Sequence, residues 1–498
     1  MAIQMMKKIW EYINEILKQF RPCFSRDIPF LWFLIVIVGL MTRSDHLGVT
    51  SIIRELLLSP NEYDNLIHFF RSNAWKLDNL RWKWIDIIKG SGAIHRIYGI
   101  PVLIGDGVKE PKEAFRMPGV KRLRQESENS SKGEYIRGLL FGGLGVLVGG
   151  AAKLFCLPIS MTIHDGNKAI LEWKGSEYKD DSHVTRLVRE ACKAAMALGE
   201  TCWLLMDRQF LSGPALKTLA EEDEKAGKKN VIMIAPAKSN YAAWWKPDDT
   251  DNKTAGNNEK LTKLGNQFPI MDLFQTKAEC FIKANLTIYG ELKTVTYMCV
   301  NLIWNRDVKQ ELRFVLVKMD GTKFILACTA LDLDPRKIIE LYCFRFKIET
   351  LFRAFKQVIA GFSCHFWTRR MPDFQPFIKA EKMVALVAEV TADVARESIK
   401  DTYDAIEGFV MLSCIAIGVI QLCALKFSAI INNNEKRWMR TLSVGIPSEA
   451  TVALNLRYAL PTLFGKCDDS ALVKAIRMRQ HTSVVIAENN TDSIKKSA

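Results

Sequence analysis

Along the N-terminal part of the chain, apolar positions recur about every three to four residues, as they do on one face of a helix. Ile3, Met6, Ile9, Trp10, Ile13, Ile16, Leu17 and Phe20 line one side of an amphipathic first helix. Further helices are predicted over 47–58 and 62–73, separated by Ser59-Pro60-Asn61. From about residue 98 the pattern changes. Ile100-Pro101-Val102-Leu103-Ile104-Gly105-Asp106 is a short apolar run ending in an acid, and 139–148 and 157–163 read as two further strands. A helix over 183–198 is followed by a second apolar run ending in an acid, Cys202-Trp203-Leu204-Leu205-Met206-Asp207. A helix over 213–226 and a buried strand over 231–235 come next. Strands first, then alternating helix and strand, is the order of an α/β domain with a mixed sheet.

The segment 246–267 is polar and rich in Asp, Asn, Lys and Gly, and reads as a loop. Beyond it lie β-type runs at 294–304, 312–318 and 323–328, with Asp320-Gly321 as a hairpin turn. Helix is expected from near Pro335 to about Phe427, and the last dozen residues are expected to fray. Three regions follow: a helical N-terminal region over 1–97, an α/β domain over 98–370 with a β insertion over about 237–333, and a helical C-terminal region over 371–498. The N-terminal helices suit a DNA-end-binding module and suit equally a cap on the next domain. The C-terminal region is a candidate for dimerisation. Three apolar stretches, 28–41, 138–152 and 408–425, could be mistaken for membrane spans. The first is shorter than the ~20 residues a span needs. The second is glycine-rich, and the third is broken by Ser413 and Gln421. All three read as buried core, and no stable membrane association is expected.

Composition narrows the class. Of 498 residues, 48% are hydrophobic and 25% charged, which excludes a disordered chain, a collagen and a small disulfide scaffold. None of the twelve cysteines forms a CxxC pair or lies at zinc spacing from a histidine. They read as free thiols in a reducing compartment. Lys and Arg number 69 against 55 Asp and Glu, a formal charge of +14. Nucleic acid, an anionic membrane surface and an acidic protein are all partners that such a surplus attracts.

Tyr342, Arg345, Glu349 and Lys356 lie in one predicted helical run. On an unbroken α-helix, at about 100° per residue, they fall within an arc of roughly 60°. Phe344, Ile348, Leu351, Phe355 and Ile359 fall on the opposite side. Arg345 and Glu349 could form an ordinary i,i+4 ion pair on a solvated face. The local charge density favours more than that: Pro335 to Arg370 holds eight bases against two acids, a net +6. A basic helix carrying one acid suits a phosphodiester backbone, with bases on phosphates and the acid on a metal. Asp106 and Asp207, each ending an apolar strand, would complete an oxygen-rich cage for two divalent ions, Mg²⁺ or Mn²⁺.

On these residues the chain resembles a bacterial insertion-sequence DDE transposase. It is most similar to the cut-and-paste group, insertion-sequence family four, with its Tyr-x2-Arg-x3-Glu-x6-Lys signature. Tyr342, Arg345, Glu349 and Lys356 keep every spacing of that signature, while "VLIGDGVKEPKE" and "LLMDRQFLSG" resemble the two aspartate strands. The resemblance implies an RNase H-like catalytic core with a β insertion, acting as a homodimer on double-stranded transposon ends and target DNA. It implies Asp106, Asp207 and Glu349 as the metal-binding catalytic triad, with Tyr342, Arg345 and Lys356 on DNA phosphates. Arg208 and Lys109 flank the acids as further phosphate contacts. An aromatic residue of the insertion would stack on a flipped base, with Trp244, Trp245 and Trp304 as candidates. Asp165 is the rival acid and reads as a turn residue. The implied chemistry is end nicking, attack of the freed 3′-hydroxyl to form a hairpin, hairpin opening, and strand transfer into target DNA. The implied setting is the bacterial cytoplasm, at the nucleoid. The alternatives are an RNase H-like structure-specific nuclease and a domesticated, non-catalytic DNA-binding protein.

Overall fold

A computed structural model describes residues 2–125, 134–246, 266–375, 378–433, 445–466 and 470–480. Five helices come first: α1 (Ala2–Lys18), α2 (Asp27–Thr42), α3 (Thr50–Glu55), α4 (Glu62–Phe70) and α5 (Leu77–Gly90). Then follow β1 (Arg96–Ile97), β2 (Ile100–Pro111), β3 (Lys121–Arg124), β4 (Tyr135–Gly150), β5 (Lys153–Ile163), α6 (Lys168–Trp173) and α7 (His183–Leu198). The middle of the chain gives β6 (Cys202–Met206), α8 (Gly213–Ala226), β7 (Val231–Pro236), β8 (Ala242–Trp244), β9 (Phe268–Pro269) and α9 (Leu273–Thr276). Four long antiparallel strands come next, β10 (Ile282–Ile288), β11 (Glu291–Trp304), β12 (Gln310–Met319) and β13 (Thr322–Cys328). The remainder is helical: α10 (Pro335–Tyr342), α11 (Lys347–Gln357), α12 (Ala380–Ala388), α13 (Asp393–Lys426), α14 (Ser428–Asn433), α15 (Glu449–Tyr458), α16 (Leu460–Lys466) and α17 (Ala471–Arg477). The protein is therefore mixed α/β, with parallel and antiparallel strand pairs.

The chain divides into two compact units. The first comprises Met1–Ile94, Gly107–Asp180 and Glu349–Ala498; the second comprises His95–Asp106 and Asp181–Ile348. Compactness thus groups the N-terminal and C-terminal helices in one unit, whereas the sequence suggests separate regions over 1–97 and 371–498. The reason lies in α2 and α13. Helix α2 and the second half of α13, from Ala405 to Ala424, are buried on every side, so neither leaves a face in water. They pack on each other, and α13 also packs on β5, α5 and α15.

Helix α13 contains the one stretch, among the described residues, that is long and apolar enough to cross a membrane, and 94% of that stretch is buried inside the protein. Several of its buried polar groups are bonded internally, though Gln421 Oε1 is left without a partner among the described residues. Ser413 Oγ donates to Phe409 O at 2.9 Å, and Gln421 Nε2 donates to Cys156 O on β5 at 3.2 Å and to Glu449 Oε1 at 3.0 Å. The buried Glu407 carboxylate accepts the Ile163 N–H and the Tyr403 hydroxyl, both at 2.9 Å. The glycine-rich 138–152 stretch is strand β4, paired antiparallel with β5. At Gly138 a Cβ would stand 2.2 Å from the Glu110 carbonyl oxygen, so only glycine allows β4 to lie this close to the end of β2.

In the second unit, β2 pairs in parallel with β6, and β6 in parallel with β7. From β7 the order continues antiparallel through β13, β12 and β11, with β10 on β11. Helices α7 and α8 form over the residues predicted, because their ends are capped. Ser182 and Ser212 accept N-terminal N–H groups, while Gly199 (φ 84°) and Gly227 (φ 63°) close the C-termini in the left-handed region. Asp320 (φ 49°) and Gly321 (φ 76°) form the hairpin turn expected between β12 and β13.

Two expectations differ. The single helical run expected to hold Tyr342, Arg345, Glu349 and Lys356 is interrupted by a 3₁₀ turn over Cys343–Phe346. A strand absent from the sequence reading, β10, joins the insertion through a Tyr289-Gly290 turn in which both residues have positive φ. Most of the polar loop, 247–265, and the C-terminal residues 481–498 lie outside the described residues.

Candidate active site

In the parallel pair, Gly105 lies opposite Met206. An aspartate follows on each side, so Asp106 and Asp207 come at the same level. Asp207 does end β6, but β2 continues to Pro111, so Asp106 lies within its strand and not at the strand end expected from its apolar run. Paired strands run ~4.8 Å apart. Asp207 begins a 3₁₀ turn, Arg208–Phe210, anchored by the buried Phe210 ring and by Phe210 N–H donating to Asp207 O at 3.0 Å.

A third element delivers Arg345 and Tyr342. Helix α10 is started by Asp334, whose carboxylate accepts Arg336 N–H at 2.9 Å, and by Pro335 in its first turn. It ends at Tyr342, and the following 3₁₀ turn packs against β6. Arg345 Nη1 lies 3.2 Å from Asp106 Oδ2, with side-chain exposures of 18% and 15%. Burial holds the Tyr342 phenol well above the usual tyrosine range; the Arg345 charge acts to lower it, and Asp207, Tyr289 and Asp106 raise it further. One arginine, two carboxylates and a protonated phenol therefore share one electrostatic neighbourhood. Arg208 is exposed beside Asp207 and forms no ion pair with a described residue.

The other expected residues belong to the first unit. Lys109 Nζ donates to Arg124 O at 2.7 Å. Glu349 is exposed in the first turn of α11. Lys356 Nζ is 2.8 Å from Glu110 Oε2, on the wall of a cavity of about 550 Å³ that is also lined by Lys112, Glu113, His46 and His365. The 3₁₀ turn alters the single arc assumed for these side chains. Four residues at about 120° instead of 100° add roughly 80° of rotation, so the arithmetic holds within α10 or α11 but not across them. Of the apolar set, Ile348, Leu351, Phe355 and Ile359 are buried, whereas Phe344, inside the turn, is only half-buried. Among the described residues no group of three or more His, Cys, Asp or Glu is gathered as a metal cage.

Asp165 is a turn residue: its carboxylate accepts Gly166 N–H at 2.8 Å and pairs with Lys121. Trp244 and Trp304 are core, 9% and 5% exposed. Trp245 is exposed, with its ring stacked on Phe268 at 5.2 Å. Tyr289 was not singled out in the sequence. It is 62% exposed at its turn, with its ring edge-on to Phe346 at 5.4 Å. The available signal was the Tyr-Gly pair between two alternating runs.

No family model matches this chain, and no curated protein or solved structure matches it either.

Proposed function

We propose that the protein is a DNA transposase, cutting double-stranded DNA at transposon ends and joining the freed ends to target DNA. The observation that carries this reading is the register of β2 against β6, which gives Asp106 and Asp207 to one level of a parallel pair beside Arg345 and Tyr342. Carboxylate oxygens suit a hard cation, and Mg²⁺ is commonly held by one or two carboxylates together with substrate phosphates. Asp106 and Asp207 are the residues of the second unit that would hold it. Glu349 joins them on the strength of the Tyr-Arg-Glu-Lys spacing. Two such ions, when bound, supply Lewis-acid stabilisation and an activated water or 3′-hydroxyl.

The chain's own side chains have separate tasks. Arg345 neutralises Asp106 and offers further N–H donors to a phosphate. Tyr342, kept protonated, donates a hydrogen bond to a phosphate oxygen and does not act as a base. Arg208 extends the cationic rim beside Asp207, and Lys356 and Lys109 are phosphate contacts by the signature and its flanking strand. The mixed sheet supports an RNase H-like core, with β8 to β13 as its insertion. The paired-end homodimer and a role for residues 1–97 in end binding follow from the family resemblance. The eleven described cysteines, all free and mostly buried, support action in a reducing compartment, the bacterial cytoplasm at the nucleoid.

The test uses the full chain and duplexes carrying the DNA on either side of its reading frame, with Mg²⁺ or Mn²⁺ and without. Cleavage at inverted-repeat ends that stops on chelation is expected. Cleavage set by branch structure instead of end sequence would make it a structure-specific nuclease. Binding without any cleavage would make it a non-catalytic DNA-binding protein.

A further inference from the structure

A row of basic residues crosses the insertion sheet of the second unit. Lys283 on β10 pairs with Thr296 on β11, Thr296 with Lys318 on β12, and Lys318 with Lys323 on β13. Residues directly opposed in antiparallel pairs project from the same sheet face. The row therefore presents three ammonium groups and a hydroxyl across four strands. Its span is about 14 Å, the axial length of about four phosphates on one DNA strand.

Like charges directly opposed weaken a strand pair, yet Lys318 faces Lys323. Neither they nor Lys283 forms an ion pair with a described acid. The nearby Asp320 is taken by Lys293 at 2.9 Å, and Lys293, one position out of step with Thr294 and Thr296, projects from the opposite face. Aromatic rings replace acids beneath the row. Lys318 Nζ stands 4.1 Å from the centroid of Phe281, and Lys323 Nζ stands 5.6 Å from that of Phe274. Those two rings stack at 5.5 Å. A ring face holds an ammonium without neutralising it, so the charge stays available to a partner.

We propose that the row Lys283–Thr296–Lys318–Lys323 binds the phosphate backbone of duplex DNA, as a surface separate from Asp106 and Asp207. The periodic spacing matches a linear polyanion, and three cations without acids give it the charge complement. The proposal rests on the DNA-binding half of the function proposed above.

The experiment measures fluorescence anisotropy of the full chain on a random-sequence duplex between about 50 and 200 mM salt. Lys283→Gln, Lys318→Gln and Lys323→Gln are combined in one variant, with Lys293→Gln as a control on the opposite face. Each phosphate contact contributes roughly 0.9 to the slope of log affinity against log salt, so the triple variant loses about 2.7. The control keeps the slope of the parent. Circular dichroism of the triple variant should match the parent, since it removes the repulsion between Lys318 and Lys323 together with their contacts to the rings of Phe281 and Phe274. An unchanged slope in the triple variant, or an equal loss in the control, overturns the proposal. So does a row that supports binding to phosphatidylserine vesicles and not to duplex. Cleavage is scored separately with Asp106→Asn. A chain that binds duplex through the row but never cleaves keeps this proposal and loses the transposase reading; one that cleaves with an unaltered slope does the reverse.

Discussion

Arg345 Nη1 stands 3.2 Å from Asp106 Oδ2, at a level of the sheet where Asp106 and Asp207 lie side by side. The guanidinium occupies the position from which a cation would be attracted. Arg345 and a divalent ion therefore compete for the same carboxylate charge. Arg345→Ala is expected to tighten Mg²⁺ or Mn²⁺ binding, measured by calorimetry without DNA. The same variant should weaken duplex binding and lower its salt slope by roughly 0.9, the loss of one phosphate contact. Weaker metal binding in this variant would contradict the competition.

Asp106→Asn, Asp207→Asn and Glu349→Ala are each expected to abolish metal-dependent end cleavage while leaving circular dichroism and duplex binding near those of the parent. Asparagine keeps the shape and removes the charge, so loss of cleavage with retained binding isolates the carboxylate. Any variant that cleaves at the parent rate removes its residue from the proposed triad.

The Tyr342 phenol titrates above its ordinary value of 10.0, mainly because it is buried. The sign follows directly. In the unfolded chain Tyr342 loses its proton near pH 10, while in the folded chain it keeps it. Its contribution to stability is full below about pH 10 and is lost as pH rises toward the folded value. Buried thiols such as Cys192 are raised in the same direction and add to the alkaline loss. Tyr342→Phe should therefore flatten the fall of melting temperature above pH 10, and absorbance titration should show one fewer late-ionising tyrosine. A variant whose alkaline melting curve overlays that of the parent counts against this burial.

Gly418 tests the core. Alanine for glycine inside a helix ordinarily gains about 1 kcal/mol. Here the added Cβ would stand 2.4 Å from Trp84 Cζ2, and the indole is held by its N–H donating to Pro158 O at 2.9 Å. Gly418→Ala is expected to cost about 1–3 kcal/mol by overpacking, read as a lower melting temperature. An unchanged or raised melting temperature would show that the Trp84 ring moves freely.

Much of the fold was legible because local chemistry and tertiary packing agree. Helices α7 and α8 carry their own serine and glycine caps, so their bounds could be read directly. The turn between β12 and β13 carries the Asp-Gly pair that its left-handed backbone requires. The strand β10 and Tyr289 were missed because a seven-residue run before a Tyr-Gly turn is weaker punctuation than Asp-Gly. The 3₁₀ turn at Cys343–Phe346 was missed for a different reason. Its residues carry no proline or glycine, so nothing local stops the α-helix there, and the turn packs against β6. Tryptophans could be counted in the insertion, but only burial separates Trp244 and Trp304 from the exposed Trp245.

Legible in the sequence alone were the α/β class, most of the strands and helices, the acid at the end of β6, and a basic segment around one glutamate. These follow from periodicity, caps and turns, which act over a few residues. The strand end placed at Asp106 was too early, because β2 runs on to Pro111. Only the tertiary structure decided that the two apolar runs are parallel neighbours in register, that Arg345 reaches Asp106, and that Lys283, Lys318 and Lys323 share one row. It also decided that the apolar stretch of α13 is core, because 94% of it is buried inside the protein, with Gln421 Nε2 bonded to Cys156 O on β5 and to Glu449. Strand order and register are settled by contacts between segments far apart in the chain, which no local pattern encodes.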